Sequence, residues 1–499
     1  MAASQTTGYV CPCGPHGPAY PPAQKSKEVN RKPMSRPVDP SAGRRAPASL
    51  SALAMAAMTF AGLMQAQTVT TSTLSGHGSS SAKDPGVRTG PAAAGNPIGG
   101  LTPGQSSIFT QAQDAFNEVD SVAGTISGET GSGLGPSFNL NSCAGCHAFP
   151  AVGGTSPFTN PQIAVAKLHG ANNSIPSFLS LNGPVREARF PKNPDGSPDG
   201  GVHDLFVITG RVDAPSTCNI QQTDFGTQLS KGNVIFRIPT PTFGAGLIEA
   251  IPDATILANL NANSSLKRQF GISGHENRTG NDGSITRFGW KAQNKSLVIF
   301  AGEAYNVEQG VTNEAFPNAR ETAPGCDKLG LPEDHIDFDT GGNGDLTLFA
   351  AFMRMLAPPA PVTSYGSVSA SSIQRGHDQF VQVGCVTCHT ESLHTGTSSI
   401  GALSNVDARL FSDLLVHNMG TGLADGVSQG NAGPDEFRTA PLWGLGQRIF
   451  LLHDGRTKDL IEAIQAHSSS GSEANSSVSA FNRLSDSSTQ DLLNFLRSL

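Results

Sequence analysis

Two pentapeptides carry the residues best suited to chemistry, Cys143-Ala144-Gly145-Cys146-His147 and Cys385-Val386-Thr387-Cys388-His389. This Cys-x-x-Cys-His spacing is the attachment signature of a c-type haem. On a helical turn the two cysteines share a face, so both sulfurs can reach the vinyl groups along one porphyrin edge. The histidine then lies below the ring as the proximal iron ligand. We therefore predict two covalently bound haems. A zinc site made from both cysteine pairs is the alternative, but it would need neither histidine.

The composition narrows the class of protein. The chain has 499 residues, a formal net charge of −7 and a pI near 6.0, so nucleic-acid binding is not expected. Its 57 glycines and 34 prolines predict a loop-rich chain in which irregular segments join the helices. No run of 18 or more apolar residues follows the N-terminal region, which argues against an internal membrane span.

The N-terminal region has the pattern of an export signal. Arg44 and Arg45 precede an apolar stretch over residues 46–64, and the small residue Ala66 follows where a signal peptidase could cut. We therefore predict that residues 1–66 form an N-terminal extension with a signal peptide, and that the protein is periplasmic. An uncleaved N-terminal membrane anchor is the alternative. Export agrees with the haem motifs, because covalent haem attachment takes place outside the cytoplasm in bacteria.

Two further cysteines remain once the haem motifs, Cys11 and Cys13 are set aside. They are Cys218 and Cys326. In an oxidising compartment two such thiols predict a disulfide, and two unrelated free cysteines are the alternative.

The rest of the chain predicts a mainly α fold, with two cytochrome-c-like haem domains and a partly β, loop-rich insertion. Residues 67–105 are rich in Ser, Thr, Gly and Pro, which is typical of a flexible linker. Residues 106–357 form the predicted N-terminal haem domain, and its insertion includes a partly extended region over 203–250. A proline-rich stretch over 358–361 then separates it from residues 362–499, the predicted C-terminal cytochrome-c-like haem domain.

Function depends on the sixth coordination position of each iron. A filled position makes an electron-transfer haem, whereas an open position can bind peroxide or O₂. From the residues alone, Met419 is a candidate sixth ligand of the second haem, since it follows His389 by 30 residues in a glycine-rich loop. His169 and His203 are candidates near the first haem, with a purely structural role as the alternative.

Several stretches resemble known di-haem proteins. Residues 436–446, 453–456, 460–464 and 492–496 resemble the C-terminal part of the bacterial di-haem cytochrome c peroxidases. The chain as a whole more closely resembles the di-haem oxidoreductase family of peroxidase-like proteins, often called CxxC-motif or thiol-oxidoreductase-like proteins. Further segments that carry this resemblance are residues 141–147, 288–293 and 303–306. The resemblance covers residues 105–499.

This resemblance implies roles for three residues. His467 occupies the position of the sixth ligand of the C-terminal haem, which is usually Met in the peroxidases, so the second haem would be bis-histidine and of lower potential. Trp290 matches the aromatic residue between the haems, where it could carry electrons; core packing is the alternative. Glu308 matches the catalytic glutamate that moves a proton between the peroxide oxygens, and a solvated helix-end carboxylate is the alternative.

The resemblance also bears on cofactors and partners. The peroxidases hold a calcium ion between their domains through a Thr-Ala-Pro segment, but the corresponding residues here are Arg448-Ile449-Phe450, which argues against calcium. The implied electron donor is a small redox protein or a quinol-derived donor, and the implied oxidant is peroxide. The predicted function is thus an exported di-haem c-type oxidoreductase, in which electrons pass from the C-terminal haem to an open N-terminal haem that reduces peroxide. An electron-transfer cytochrome and an O₂-dependent di-haem oxygenase are the alternatives.

Overall fold

Four of the five helices of 11 or more residues in the described part of the chain begin at a Ser or Thr N-cap. The computed structural model describes residues 81–279, 282–326, 332–336 and 342–499, so the predicted signal peptide lies outside the described residues. In this part of the chain the α-helices are α1 Pro103–Asn117, α2 Cys143–Cys146, α3 Gln162–Val165, α4 Phe225–Ser230, α5 Ala245–Ala250, α6 Asp253–Asn261, α7 Ser264–Phe270, α8 Leu297–Gln309, α9 Asp345–Met355, α10 Ala370–Gln382, α11 Leu460–Ala466, α12 Asn475–Phe481 and α13 Asp486–Leu496.

The strands are two or three residues long and pair only in twos among the described residues. They are β1 Asp120–Ser121, β2 Gly131–Ser132, β3 Ser137–Phe138, β4 Glu187–Arg189, β5 Phe206–Val207, β6 Ile235–Arg237, β7 Asn277–Arg278, β8 Ile285–Thr286, β9 Leu393–His394, β10 Asp407–Ala408, β11 Val416–Asn418 and β12 Glu436–Arg438. The pair β1–β2 is parallel, and the pairs β3–β5, β4–β6, β7–β8, β9–β10 and β11–β12 are antiparallel.

The prediction of a mainly α fold is wrong. Helices account for only 31% of the structure, and strands with isolated bridges account for 12%. The physical reason is the high content of glycine and proline, which stop helices early and leave the backbone to pair in short ladders. Strands are also not confined to the predicted insertion, because β9 to β12 lie between the second haem motif and α11.

Two groups of helices form the cores that support the haem motifs. Helix α1 begins at a capping box of Thr102 and Gln105, and it buries Phe109, Ala112 and Phe116 against α9. Helix α8 packs on the other side of α9. Further along the chain α10 packs closely against α13. Gly376 permits this approach, since a Cβ at that position would lie 1.9 Å from the carbonyl oxygen of Asp491.

The described part of the predicted linker contacts the rest of the chain. Asp84 forms an ion pair with the fully buried Arg497 at 2.6 Å, and Ser81 hydrogen-bonds to Asp486. Pro97 bridges to Leu356 at the end of α9. No helix of the described residues is long and apolar enough to cross a lipid bilayer.

The predicted disulfide between Cys218 and Cys326 is confirmed. It joins positions 108 residues apart, and both cysteines are buried in the apolar cluster around β3 and β5. A cross-link that closes a loop of this length restricts the unfolded chain strongly.

Removal of this disulfide should therefore destabilise the protein. We expect the double variant Cys218→Ala/Cys326→Ala to lose about 2–5 kcal/mol of unfolding free energy, measured by denaturant titration. Reduced wild-type protein is the matched control and should unfold at the same denaturant concentration as the variant. An unchanged midpoint for the variant would contradict the prediction.

Candidate haem sites

The first Cys-x-x-Cys-His motif lies at the wall of a cavity. Cys143–Cys146 forms the single helical turn α2. The cavity beside it has about 1060 Å³ of space not filled by protein atoms, part of it open to solvent. Apolar side chains with a few polar groups line it, as in a typical cofactor site. The lining includes Cys143, Cys146, His147, Glu187, Trp290 and Glu308.

His147 is held in the form that a haem iron requires. Its Nδ1 donates to the carbonyl oxygen of Gly154 at 3.0 Å. Burial lowers the pKa of His147, although the carbonyls of Gly154 and Thr240 act in the opposite direction. A neutral imidazole with a proton on Nδ1 has its lone pair on Nε2, which is the usual arrangement of a metal-bound histidine.

The second motif has an equivalent arrangement but a different local structure. Cys385–Thr387 forms a 3-10 turn, and it borders a cavity of about 1460 Å³, again partly open to solvent. The Nδ1 of His389 donates to the carbonyl oxygen of Phe411 at 2.9 Å. Burial lowers the pKa of His389 to about 4, so its imidazole is neutral at pH 7. The two motifs line different cavities, which argues against a zinc site shared by both cysteine pairs.

The structure brings both candidate sixth ligands, His467 and Met419, to the second cavity. His467 follows the last residue of α11, and its Nδ1 donates to the carbonyl oxygen of Ala463 at 2.7 Å. Its Nε2 is therefore the nitrogen with a lone pair. Burial lowers the pKa of His467, and this imidazole also lies near enough to depress the pKa of His389.

Replacement of the sixth ligand should change the second haem visibly. We expect His467→Ala to convert this haem from a low-spin to a high-spin spectrum and to let it bind cyanide, because an axial position becomes vacant. The matched control is Met419→Ala, which should leave the spectrum unchanged. The opposite result, a high-spin haem in the Met419 variant alone, would make Met419 the ligand.

Two other histidines of the second cavity were not singled out by the sequence. His417 is bound on both sides, by Asp413 at 3.0 Å and by Glu473 at 2.9 Å. Burial lowers the pKa of His417, but the Cys388 sulfur and the Asp413 carboxylate outweigh it and hold this pKa above its usual range. Carboxylates engage both ring nitrogens of His417, which makes it a poor iron ligand. His453 stacks on Phe437 with ring centroids 4.4 Å apart. Only the folded structure reveals these contacts, since Glu473 comes from a distant part of the chain.

Buried arginines provide a test of whether the cavities fit a haem. Arg438 and Arg448 border the second cavity, and burial lowers the pKa of each to about 10. Arg438 donates only to the carbonyls of Gly289 and Thr439 among its described hydrogen bonds. At the first cavity, the Nε atoms of Arg186 and Arg237 have no hydrogen-bond partner in the described structure. Buried guanidinium groups need anions, and the two propionates of a haem would supply them.

Glu308 lies on the last turn of α8 and lines the first cavity. Its Oε2 accepts a hydrogen bond from the Nδ2 of Asn139 at 3.0 Å. Burial raises the pKa of Glu308 well above its usual range, and the nearby carboxyl group of Glu187 raises it further. Glu308 thus faces the cavity, and its surroundings favour the protonated form of its carboxyl group.

Trp290 is the one described residue that lines both cavities. It lies in the turn between β8 and α8, and its Nε1 donates to the carbonyl oxygen of Ile238 at 2.9 Å. The ring of His453 approaches it edge-on, at 6.4 Å between ring centroids. This position fits the predicted role between the haems, which remains a prediction.

Other predicted residues lie elsewhere. His169 hydrogen-bonds to Glu129 at 2.7 Å. His203 hydrogen-bonds to Asp199 and stacks on Phe190, and neither histidine lines the first cavity.

In the described part of the chain one cluster of metal-ligand side chains lies within mutual reach, namely Cys388, Asp413 and His417. It contains a haem-motif cysteine and a histidine that is already bonded twice, so it provides no calcium site.

A comparison of the sequence with known protein families shows the class of protein to which the chain belongs. Residues 192–499 match the family described as "Di-haem oxidoreductase, putative peroxidase". The match includes the second haem motif, Trp290, Glu308 and His467. Because it spans more than half of the chain, the chain belongs to this di-haem oxidoreductase family and is a haem-dependent redox enzyme.

Two solved structures are similar over part of their length. One is the xenon-pressurised hydrazine synthase of Kuenenia stuttgartiensis, with 20% identity and a TM-score of 0.21; the similarity covers 31% of this chain and 55% of that one. The chain thus spans about half of that enzyme chain. The other is a MauG-like protein associated with microbial copper homeostasis, with 18% identity and a TM-score of 0.25, covering 52% of this chain and 89% of that one. No curated protein matches.

Proposed function

We propose that this protein is a periplasmic peroxidase with two covalently attached haems, of which the first is open to peroxide and the second is six-coordinate. The main support for the proposal is that the two cavities differ in the number of potential iron ligands that line them. His147 is the only histidine among the described residues that line the first cavity. The second cavity is lined by His389, His417, His453 and His467, together with Met419.

Other potential ligands at the first cavity are engaged elsewhere. The hydroxyl of Tyr305 donates to Asp345 at 3.2 Å, and Met353 belongs to the apolar core around α1, α8 and α9. In their place the first cavity presents the carboxyl group of Glu308, whose pKa is raised well above its usual range by burial. A peroxidase needs this combination of an open axial position and a positioned proton donor.

A haem at the first motif would supply an iron that binds peroxide and exchanges electrons. Cleavage of peroxide to two waters consumes two electrons and two protons, and it breaks the O–O bond. Asn139 donates a hydrogen bond to the Glu308 carboxyl group, and this group would move a proton between the oxygens. Trp290 lies between the two cavities, on the route by which electrons from the second site would arrive.

Export and the electron donor are part of the same proposal. The signal-like segment over residues 44–66 supports export, as does the disulfide, because disulfides persist in oxidising compartments. Electrons would come from a small redox protein or a quinol-derived donor, and they would enter at the second haem.

Ligand binding to the haems tests this function. We expect one of the two haems in the partly reduced protein to bind cyanide or carbon monoxide, and the protein to reduce peroxide when given an electron donor. If neither haem binds an exogenous ligand, the protein is an electron-transfer cytochrome and the proposal fails. If turnover requires O₂ and not peroxide, the oxygenase alternative replaces it.

A further inference from the structure

A buried tyrosine of α8 lines the first cavity. Tyr305 is only 2% exposed, and it borders this cavity together with Glu308, three residues further along the helix. Residues three positions apart share one face of a helix, so both side chains reach the same cavity. Proton transfer by Glu308 leaves Tyr305 without a part in peroxide reduction, although a phenol is one of the few side chains that a strong oxidant can oxidise.

The hydroxyl of Tyr305 is bonded to a carboxyl group. It donates to Oδ2 of Asp345 at 3.2 Å. Asp345 is the first residue of α9, where the partial positive charge of a helix N-terminus favours the ionised form of a carboxylate. Asp334 fixes this end of the helix, because it accepts from the backbone N–H groups of Asp345 at 2.7 Å and Leu346 at 2.9 Å. A proton acceptor is thus held at the phenol.

Aromatic rings surround the other side of Tyr305. Its ring meets Phe349 edge-on, with centroids 5.0 Å apart, and Phe349 in turn packs edge-on against Phe116. The centroid of Phe116 lies 6.0 Å from that of His147, the predicted iron ligand. Tyr305 is the readily oxidised member of this cluster, since phenylalanine rings resist oxidation. Its burial also protects an oxidised form of the ring from water and from small reductants.

Loss of an electron from Tyr305 must be accompanied by loss of its proton. A tyrosine keeps its proton at pH 7 even in water. Burial raises the pKa of Tyr305 further, and the carboxyl groups of Asp120 and Asp345 act in the same direction. Removal of an electron makes the proton of a phenol strongly acidic, so the carboxylate that already accepts the hydrogen bond takes it.

We propose that Tyr305 is a redox-active residue, which gives one electron to peroxide in the first cavity and passes its phenolic proton to Asp345. The inference rests on the proposed peroxidase function, since peroxide is the oxidant. It extends that function, because the protein then holds one oxidising equivalent on a side chain when the electron donor is scarce.

The electrons and protons balance over one turnover. Reduction of peroxide to two waters breaks the O–O bond and consumes two electrons, with two protons from solvent. Tyr305 supplies one electron and becomes a neutral radical as its O–H proton moves to Asp345, while the second haem site supplies the other electron. The donor then returns one electron to Tyr305 and one to the second site. Asp345 returns its proton, which restores the phenol.

Electron paramagnetic resonance tests this role. The partly reduced protein is mixed with peroxide, without further donor, and frozen. We expect a tyrosyl radical signal in the wild type, which incorporation of ring-deuterated tyrosine should narrow. Tyr305→Phe should lose this signal, because phenylalanine retains the ring but not the oxidisable hydroxyl. An unchanged haem content in this variant would show that it folds.

The chain offers a matched control. It has four tyrosines, of which Tyr9 and Tyr20 lie in the predicted N-terminal extension. The fourth, Tyr365, donates to the carbonyl oxygen of Asn494 at 3.0 Å and is not among the described residues that line either cavity. Tyr365→Phe should therefore keep the radical signal.

A substitution of the proton acceptor tests the second half of the proposal. Asp345→Asn can still accept the hydrogen bond of Tyr305, but it cannot take the proton. We expect this variant to lose the radical signal while its haem content stays at two per chain. A radical of wild-type yield in Asp345→Asn would overturn the assignment of Asp345 as the proton acceptor.

The remaining outcomes separate Tyr305 from the peroxidase function. A radical that survives in Tyr305→Phe, or its absence from wild-type protein that reduces peroxide, would overturn the role of Tyr305 and leave that function intact. A wild type that reduces no peroxide would refute the function, and flash-generated tris(bipyridine)ruthenium(III) would then replace peroxide as the oxidant. A radical in Tyr365→Phe that is absent from Tyr305→Phe/Tyr365→Phe would still support Tyr305 as the oxidised residue. Equal signals in these two variants would overturn it.

Discussion

Glu308→Gln should lower peroxide turnover by roughly 10²- to 10⁴-fold, the range that a positioned acid–base group contributes. The amide retains the shape and can still hydrogen-bond to Asn139, but it has no proton to donate to the leaving oxygen. The measurement is the steady-state rate of donor oxidation at saturating peroxide. Binding of cyanide to the first haem should persist, because the iron ligands are untouched.

A comparison with a second variant distinguishes a catalytic role of Glu308 from a structural one. Glu303→Gln, on the same helix, should stay close to the wild-type rate. Full peroxide turnover in Glu308→Gln would remove this residue from the mechanism. A matching loss in Glu303→Gln would show that α8 merely tolerates substitution poorly.

The double variant Cys143→Ser/Cys146→Ser should lose one of two haems and all peroxide turnover. The hydroxyls of serine cannot form thioether bonds, so the first cavity would lack its covalently held porphyrin. The second site lies in a separate cavity and should keep its own haem. Haem content per chain, measured as the pyridine haemochrome, should fall from two to one.

A second pair of substitutions completes this test. Cys385→Ser/Cys388→Ser should also leave one haem, but the remaining haem should bind cyanide and receive electrons poorly. Two haems per chain in either variant would contradict covalent attachment at that motif. Equal turnover in both variants would contradict the division of roles between the two sites.

The haem motifs and the disulfide were readable from sequence because their chemistry depends on residue type and short spacing. Helix α1 was readable for a similar reason, since Phe109, Ala112 and Phe116 recur with helical periodicity and are buried together. The resemblance to known families placed Trp290 and Glu308, and both line the first cavity. Their chemical roles await the experiments above.

The rest of the site depends on contacts between distant segments. Glu187 and Glu308 line the same cavity although they are far apart in the sequence, and nothing in the local sequence of Glu187 marks it. One of the two carboxylates that bind His417 comes from Glu473, 56 residues away. The prediction of a mainly α fold is wrong for a related reason. The cytochrome-like motifs indicate helices, but the glycine-rich segments around them fold as short ladders and turns, including the 3-10 turn at Cys385.

Covalently attached haem at both motifs is the central claim, and one measurement tests it directly. The protein should be produced with the machinery for haem attachment, extracted with acidified acetone, and then assayed for its pyridine haemochrome. We predict two haems per chain that stay with the protein after extraction. A protein that releases its haem to the solvent, or that contains zinc and no haem, would contradict the account.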